Sequence, residues 1–594
     1  MASPSSVLLL LFTLLTIFST PSSAKPYPSA SASPEARPWA KPWPHPNPLA
    51  AAAAPSQSNT FQYDVIIYGG TPAAISAAVQ VKRMGKTVAI VNPDEHLGGL
   101  TSSGLGWTDS KNGNAIGGIA REFYSAVYKH YLSDSAWIQM PRQEYVDMKV
   151  SAQPGPAVDG DKEIQWTFEP KVAESIFKSW INDNNIPVYN EHLDRSSGSV
   201  SKSGTTIKGF KTLSGKTFNG NMFIDAGYEG DLMDAAGISF SVGRDSASVY
   251  GESAGGQRVA VNDGYEGVDP YKTKGNSKSG LLLGIQDTLS SPLPQGFTGS
   301  ADDLRIQSFN YRLCLTHDPG NKIVVTKPAG YHDSNYELLL RLIEAGHNAS
   351  FTADPMPNRK TDSNSEGKVS FDLVGGNFNE ATHETYPTAS YDERKAMIDA
   401  HKKYQQGILW TLQNHPRIPA EQRKKNAEWG YAKDEFTSNN NWPYSIYVRE
   451  SRRMNGMHVL TQQDVQNRAG YIGDAVAGLG SYNLDSHVVR RVVMGDQIYD
   501  EGWFYIREGS TPFPIPYQAI LPQADEATNL LNPVTLSATH VGFSAVRMEP
   551  TFMVLGQSAG TAAVLAIQQG CTVQDVDRKK LNSRLKSDKQ KVSY

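Results

Sequence analysis

Cysteine is nearly absent. Cys314 and Cys571 are the only two in 594 residues, which allows at most one disulfide and equally well two free thiols. An excess of one charge is missing too: 56 Lys and Arg stand against 60 Asp and Glu, a net of -4. No basic stripe or RNA-binding signature accompanies that balance, so no nucleic-acid partner is expected. The 13 histidines are scattered, and neither C-x-x-C nor H-E-x-x-H occurs, so no metal is expected. Beyond the N-terminal stretch, no segment reads as apolar enough to cross a membrane, and no stable span is expected. What remains is ordinary for a globular protein: 39% hydrophobic, 20% charged, mean hydropathy -0.43. A chain of this length exceeds one hydrophobic core, which implies two or more domains. Oligomeric state leaves no mark in the sequence.

The N-terminus has its own texture. VLLLLFTLLTIF at residues 7–18 has the length of a signal-peptide core, and SSA at 22–24 supplies small residues for cleavage, although no Lys or Arg precedes it. Residues 1–24 therefore read as a signal peptide, and the protein as secreted or in the secretory pathway. Residues 25–60 carry nine prolines and read as a disordered linker, because that spacing forbids helix and sheet ladders. The linker holds three Lys/Arg and one Asp/Glu, so the rest of the chain carries -6. One N-x-[ST] sequon, at Asn348, would make a glycoprotein of a chain that enters that route.

YDVIIYGGTPAAISAAVQ, residues 63–80, reads as a strand, a tight turn and a helix. Asp64 to Tyr68 is a buried parallel strand, Pro72 suits the first helical turn, and 73–84 is alanine-rich. KTVAIVN, residues 86–92, closes a βαβ unit. The turn nearly spells G-x-G-x-x-G, but Thr71 and Ala74 stand where the second and third glycines belong. Gly69 and Gly70 keep the tight turn, Ala74 adds one methyl, and the Thr71 hydroxyl can donate to a phosphate beside the helix N-terminus. Asn92 replaces the acidic residue that would bind ribose hydroxyls. On this unit alone, a βαβ fold without ligand stays open. Further along, HLGGLTSSGLGWTD (96–109) is a glycine loop containing Gly98 and Gly99. FNGNMFIDAGYEGDLMDAAG (218–237) is a strand ending in Ala226 and Gly227 with a short helix after it. In 529–570 a strand precedes a small-residue helix read as starting near Gly556.

With these segments in order, together with YGESAGG, FNYRLCLT, YVRESRRM, SYNLDSH and RMEPTFMVLGQSAGTAA, the chain resembles the FAD-dependent oxidoreductases of the FAD_oxidored type. These are related in fold to the glutathione-reductase and fumarate-reductase flavoproteins. The resemblance runs from about residue 61 to 585. It implies an α/β protein: a Rossmann-like FAD-binding domain assembled from discontinuous segments (61–245 and 525–594), with an inserted α+β substrate domain at 246–524. FAD is the implied cofactor. Its cradle is expected at Gly69, Gly70, Thr71, Ala74, Asn92, Gly98, Gly99, Ala226, Gly227, Gly556, Gln557 and Ala559.

Dehydrogenation beside a flavin needs a base, and His is the usual choice. His540, near the C-terminal helix, and His487, two residues from Asp485, are the candidates; a structural histidine is the alternative for each. Arg547 and Glu549 flank the same helix as an ion pair or cap, or as charge compensation for reduced flavin. Arg449 and Arg453 would share one face of a strand, as a carboxylate clamp or a solvated edge. His96 is a position for covalent flavin attachment. Ser558 lies in G-x-S-x-G, but no His follows His540, so the hydrolase order fails. Ser390 is expected to cap a helix to Gln413, with Met397, His401, Tyr404, Ile408 and Leu412 inward. No second dinucleotide fingerprint is evident, which favours an oxidase passing electrons from a small organic substrate to oxygen. The alternatives are a flavin monooxygenase or dehydrogenase of secondary metabolism, and a carbohydrate-associated binding or lyase-like protein.

Overall fold

The computed structural model describes residues 59–259, 264–289, 304–374, 386–466, 475–507 and 511–594. The apolar run at 7–18 and nearly all of the proline-rich segment lie outside them. Thr60–Tyr68 (β1), Pro72–Arg83 (α1) and Val88–Asn92 (β2) form the expected βαβ unit. β1 starts at Thr60 rather than Asp64 because Thr60 to Tyr63 pair in parallel with Thr217 to Gly220, a contact no local pattern shows.

Gly118–His130 (α2) and Pro170–Asp183 (α3) follow, then Val188–Asn190 (β3), Val200–Ser203 (β4), Thr206–Lys211 (β5), Thr217–Asp225 (β6) and the short helix Asp231–Ala235 (α4). The sheet runs β3-β2-β1-β6-β5-β4. β3, β2, β1 and β6 are mutually parallel. The β4–β5 hairpin pairs antiparallel with the start of β6. Leu530–Leu531 (β7) joins the far end of β6 in parallel. Ile66 and Ile67 point to opposite faces and both are fully buried, as a strand covered on both sides requires. Each such side chain contributes roughly 1.5–3 kcal/mol of burial.

Tyr391–Asn414 (α5) is capped by Ser390, whose side chain accepts from the Glu393 amide while Glu393 reaches back to the Ser390 amide. Its stripe of Met397, His401, Tyr404, Ile408 and Leu412 is buried. Four of these five side chains belong to a second apolar core, with Tyr265, Phe309 and Leu340, and His401 stacks near Phe309. A five-stranded antiparallel sheet sits in the same region, in the order Lys322–Ile323, Gly430–Ala432, Leu313–Thr316, Lys360–Ser363 and Asp354–Met356. The boundary expected at 524 does not separate the cores, since Leu460, Ala477, Ile520 and Leu521 pack into the first.

Glu549–Gln569 (α6) begins seven residues before the expected start, with Pro550 in its first turn. It is also long and apolar enough to cross a membrane, contrary to the sequence reading, yet 94% of that window is buried in protein. It is a core helix. Gly556 and Gly560 lie four apart on the face that meets α1. A Cβ at Gly556 would stand 2.2 Å from the Ala73 carbonyl oxygen, and one at Gly560 would stand 2.6 Å from that of Ala77. Cys314 and Cys571 are unpaired.

Candidate functional site

The turn after β1 is shaped by backbone contact. Gly69 has φ +100°, and a Cβ there would lie 2.6 Å from the Gly227 amide. So the turns after β1 and β6 touch through Gly69, Ala226 and Gly227, and only glycine fits at 69. The Thr71 hydroxyl donates to the Ala226 carbonyl at 2.7 Å and caps α1 by accepting from the Ala74 amide at 3.4 Å. Its proton is spent inside the protein, not held ready for a phosphate. Ala74 is buried in the helix.

The Asn92 side chain is engaged within its own loop. Its amide donates to the carbonyls of Asp94 and His96 at 2.6 and 2.9 Å, and the side chain packs on Gly70. The loop it holds returns to the turn, where the Gly98 amide donates to the Gly70 carbonyl at 2.7 Å. Gly98 and Gly99 have positive φ, and a Cβ on Gly99 would meet the Tyr228 hydroxyl at 2.3 Å.

A cavity of about 380 Å³ opens where β2, β3 and β6 end, lined by Pro93, Asp94, His192, Tyr228 and Glu229. The crevice beyond the carboxyl ends of parallel strands is where such sheets bind ligands. The far wall is α5, through Tyr391 and Arg394. Arg394 is itself held by a bidentate pair with Asp231 at 2.7 and 2.9 Å. Asp225, at the end of β6, braces the turn by accepting from the Gly227 and Met233 amides. Burial pushes its pKa up to about 7.

A second, smaller cavity of about 100 Å³ is wholly polar or aromatic in its lining, which includes Trp107, Asp109, Arg312, Tyr447, His487 and Arg547. The His487 Nδ1 lies 2.8 Å from Asp372 Oδ2, and the other Asp372 oxygen accepts from Arg449 at 2.9 Å. Burial first, then the Arg449 charge, hold His487 below its ordinary pKa. The ring is therefore neutral at pH 7. With Nδ1–H donated to Asp372, Nε2 carries the free lone pair. Arg547 donates to the Tyr447 hydroxyl at 2.8 Å and to the Asp485 carbonyl at 2.9 Å. Tyr447, Leu100 and Leu105 form an apolar group with Tyr228 against it, so one small cluster supplies a wall residue to each cavity.

Arg547 and Glu549 do not pair with each other. Glu549, in the first turn of α6, accepts from Tyr228 at 2.7 Å and Thr101 at 2.8 Å. Burial pushes its pKa up to about 7. Gly556 and Ala559 lie deeper in α6 against α1 and within the core, and Gln557 accepts from the Ile119 amide at 2.9 Å. They shape helix packing and line neither cavity.

His540 also lines neither cavity. Its Nδ1 meets Glu450 at 2.8 Å and its Nε2 meets Ser486 at 3.3 Å, which leaves it no free nitrogen. Arg449, Glu450, Arg452 and Arg453 are all buried, not a solvated edge. Arg449 is bound to Asp372 and Arg453 to Glu450. His96 is engaged by Glu174 at 3.1 Å and stacks on Tyr444. Among the described residues, Glu169, Asp434 and Glu435 do converge. The cation joining them is the Lys360 ammonium, at 2.6, 2.8 and 2.6 Å.

Asp372 escaped the sequence reading because it lies 115 residues from His487 and no short motif joins them. Trp107 and Asp109 fell inside the quoted glycine loop, but spacing gave them no role. Asp94 sat two residues past the position inspected for a carboxylate.

The donor set suits a dinucleotide. The glycine turns at 69 and 98–99, the α1 N-terminus and the cavity beyond β2 and β3 are what a diphosphate and its nucleoside need. The sequence matches the family described as FAD dependent oxidoreductase over residues 64–585. No curated protein matches it. Solved structures similar to parts of it include a flavin-containing monooxygenase from Stenotrophomonas maltophilia, at 12% identity over 32% of this chain and 43% of that one, TM-score 0.17. An L-amino acid deaminase from Proteus vulgaris gives 11% over 32% and 54%, TM-score 0.21. An L-proline dehydrogenase from P. horikoshii gives 14% over 31% and 58%, TM-score 0.21. The match spans less than two thirds of each of those chains.

Proposed function

This chain belongs to the FAD-dependent oxidoreductase family, and from that premise we propose that it is an oxidase of a small organic substrate bound in the polar cavity at His487 and Arg547. FAD, its cofactor, would supply two-electron chemistry when bound, with oxygen as the proposed acceptor and hydrogen peroxide as the product. The turn at Gly69 and Gly70, the α1 N-terminus and the cavity beyond β2 would hold it. The observation that carries this reading is the His487–Asp372 pair. It keeps a neutral imidazole whose Nε2 is open, in a cavity, beside a buried guanidinium.

His487 takes the proton of a substrate O–H or N–H, and Asp372 holds the ring in the tautomer that can accept it. Arg547, fixed by Tyr447 and Asp485, offers positive charge where electron density accumulates. The absence of a second dinucleotide fingerprint in the sequence supports oxygen over a nicotinamide as partner, and the signal-like residues 1–24 are the ground for proposing the secretory pathway as its location. The test is anaerobic mixing with substrate or with NADPH, followed by oxygen. Bleaching of the flavin by substrate, then peroxide on aeration, is the expected result. Rapid bleaching by NADPH alone would end the oxidase reading.

A further inference from the structure

We propose that the cavity at His487 recognises a neutral, polyhydroxylated molecule: a small polyol or the end unit of a sugar. The proposal deepens the functional reading above and rests on it for the location of the substrate.

The chemistry of the wall excludes the other classes. No Leu, Ile, Val, Met or Ala lines this cavity, so an apolar substrate would strip water from its polar groups in exchange for contact with three ring faces. Three carboxylates, Asp109, Asp354 and Asp485, face two guanidiniums, Arg312 and Arg547. Arg312 is paired with Asp362 through two bonds of 2.7 Å, whereas Arg547 is held by the Tyr447 hydroxyl and the Asp485 carbonyl. The wall carries both signs side by side, so a carboxylate meets carboxylates and an ammonium meets guanidiniums, and neither finds a field of one opposite sign.

The atoms left open are of both kinds. Gln153 gives its Nε2 to Asp109 at 3.0 Å, while its Oε1 is buried without a partner. The Arg547 Nε is buried and equally unpartnered. The Asn364 Oδ1 accepts from Asn310 at 2.8 Å, so the donor end of this lining side chain is its amide N–H₂, and the His487 Nε2 is an acceptor. A hydroxyl is donor and acceptor at once, so adjacent hydroxyls can satisfy such a set where an acceptor-only carboxylate or a donor-only ammonium cannot. Trp107, Tyr447 and Tyr482 add ring faces for the C–H side of a polyol.

The experiment titrates the FAD-loaded full-length protein, without oxygen, with erythritol, D-glucose, butan-1-ol, butyrate and butylammonium, reading tryptophan fluorescence, to which Trp107 contributes. Erythritol or glucose should bind at least tenfold more tightly than the other three, and the better of the two identifies free polyol or sugar unit. Butanol, butyrate or butylammonium binding as tightly as the better hydroxylated probe overturns the proposal. Asn364→Leu and Gln153→Met should each weaken the hydroxylated probe by about 3- to 10-fold, the worth of one hydrogen bond, and leave butanol unchanged. If either variant misfolds, the wild-type series decides alone. Flavin absorbance is read in the same cuvette: preferential binding without bleaching removes the proposed reaction and leaves the recognition standing.

Discussion

Replacing His487 by Gln keeps a side chain long enough to reach Asp372 but removes the nitrogen that accepts a proton. kcat/KM should fall about 10²- to 10⁴-fold, the usual worth of a general base, while FAD content and folding stay as they were. Its pH dependence follows from the lowered pKa. A protonated ring cannot accept, so kcat/KM should fall as pH drops through a value below the ordinary 6.5, and this acid limb should vanish in the Gln variant. Unchanged turnover would remove His487 from the reaction. The contrast with His540 is instructive. Both are histidines beside an acidic residue in space, and the sequence offered each as a candidate. What separates them is whether one nitrogen is left over, and that depends on Glu450, Ser486 and Asp372 arriving from elsewhere in the chain.

At the scale of elements, the N-terminus of α6 carries a buried carboxyl held by the Tyr228 and Thr101 hydroxyls and the Thr101 amide. The folded protein keeps Glu549 protonated up to about pH 7, against an ordinary value of 4.5. Between those values the unfolded chain has already lost its proton, so this group makes stability fall as pH rises, and the loss is complete above 7. Glu549→Gln should therefore be no more stable than wild type below pH 4.5. Its advantage should grow to a ceiling on the order of 3 kcal/mol near pH 7 and above, as read by denaturant unfolding across that range. A constant difference at all pH values would mean that the carboxyl is not protonated in the fold. The start of α6 was not legible because Arg547 to Leu555 has no capping side chain, so the small residues from Gly556 onward looked like the beginning. They are the middle, made small by the crossing with α1.

At the scale of the whole molecule, expression in a secreting eukaryotic host should yield a protein starting at residue 25 with a glycan on Asn348, which is exposed in the fold. N-terminal sequencing and a mobility shift on enzymatic deglycosylation check this, and retention in the cytosol with an intact N-terminus would overturn it. The sequence by itself determined the βαβ unit, the glycine turns and the capped helix α5, because strand, turn and cap preferences act between near neighbours. It also carried the family, through motifs strung in order along the chain. It offered Asn92 as a ribose ligand, Thr71 as a phosphate donor and Gly556, Gln557 and Ala559 as cradle residues, but not the contacts they make in the fold, where Asn92 holds its own loop, Thr71 meets Ala226 and the other three pack within and beside α6. Only the tertiary structure decided those, along with the His487–Asp372 pair and the two cavities. A hydrogen bond between residues a hundred positions apart leaves no periodicity to read, and which polar atoms stay unpaired depends on the packing of the entire chain.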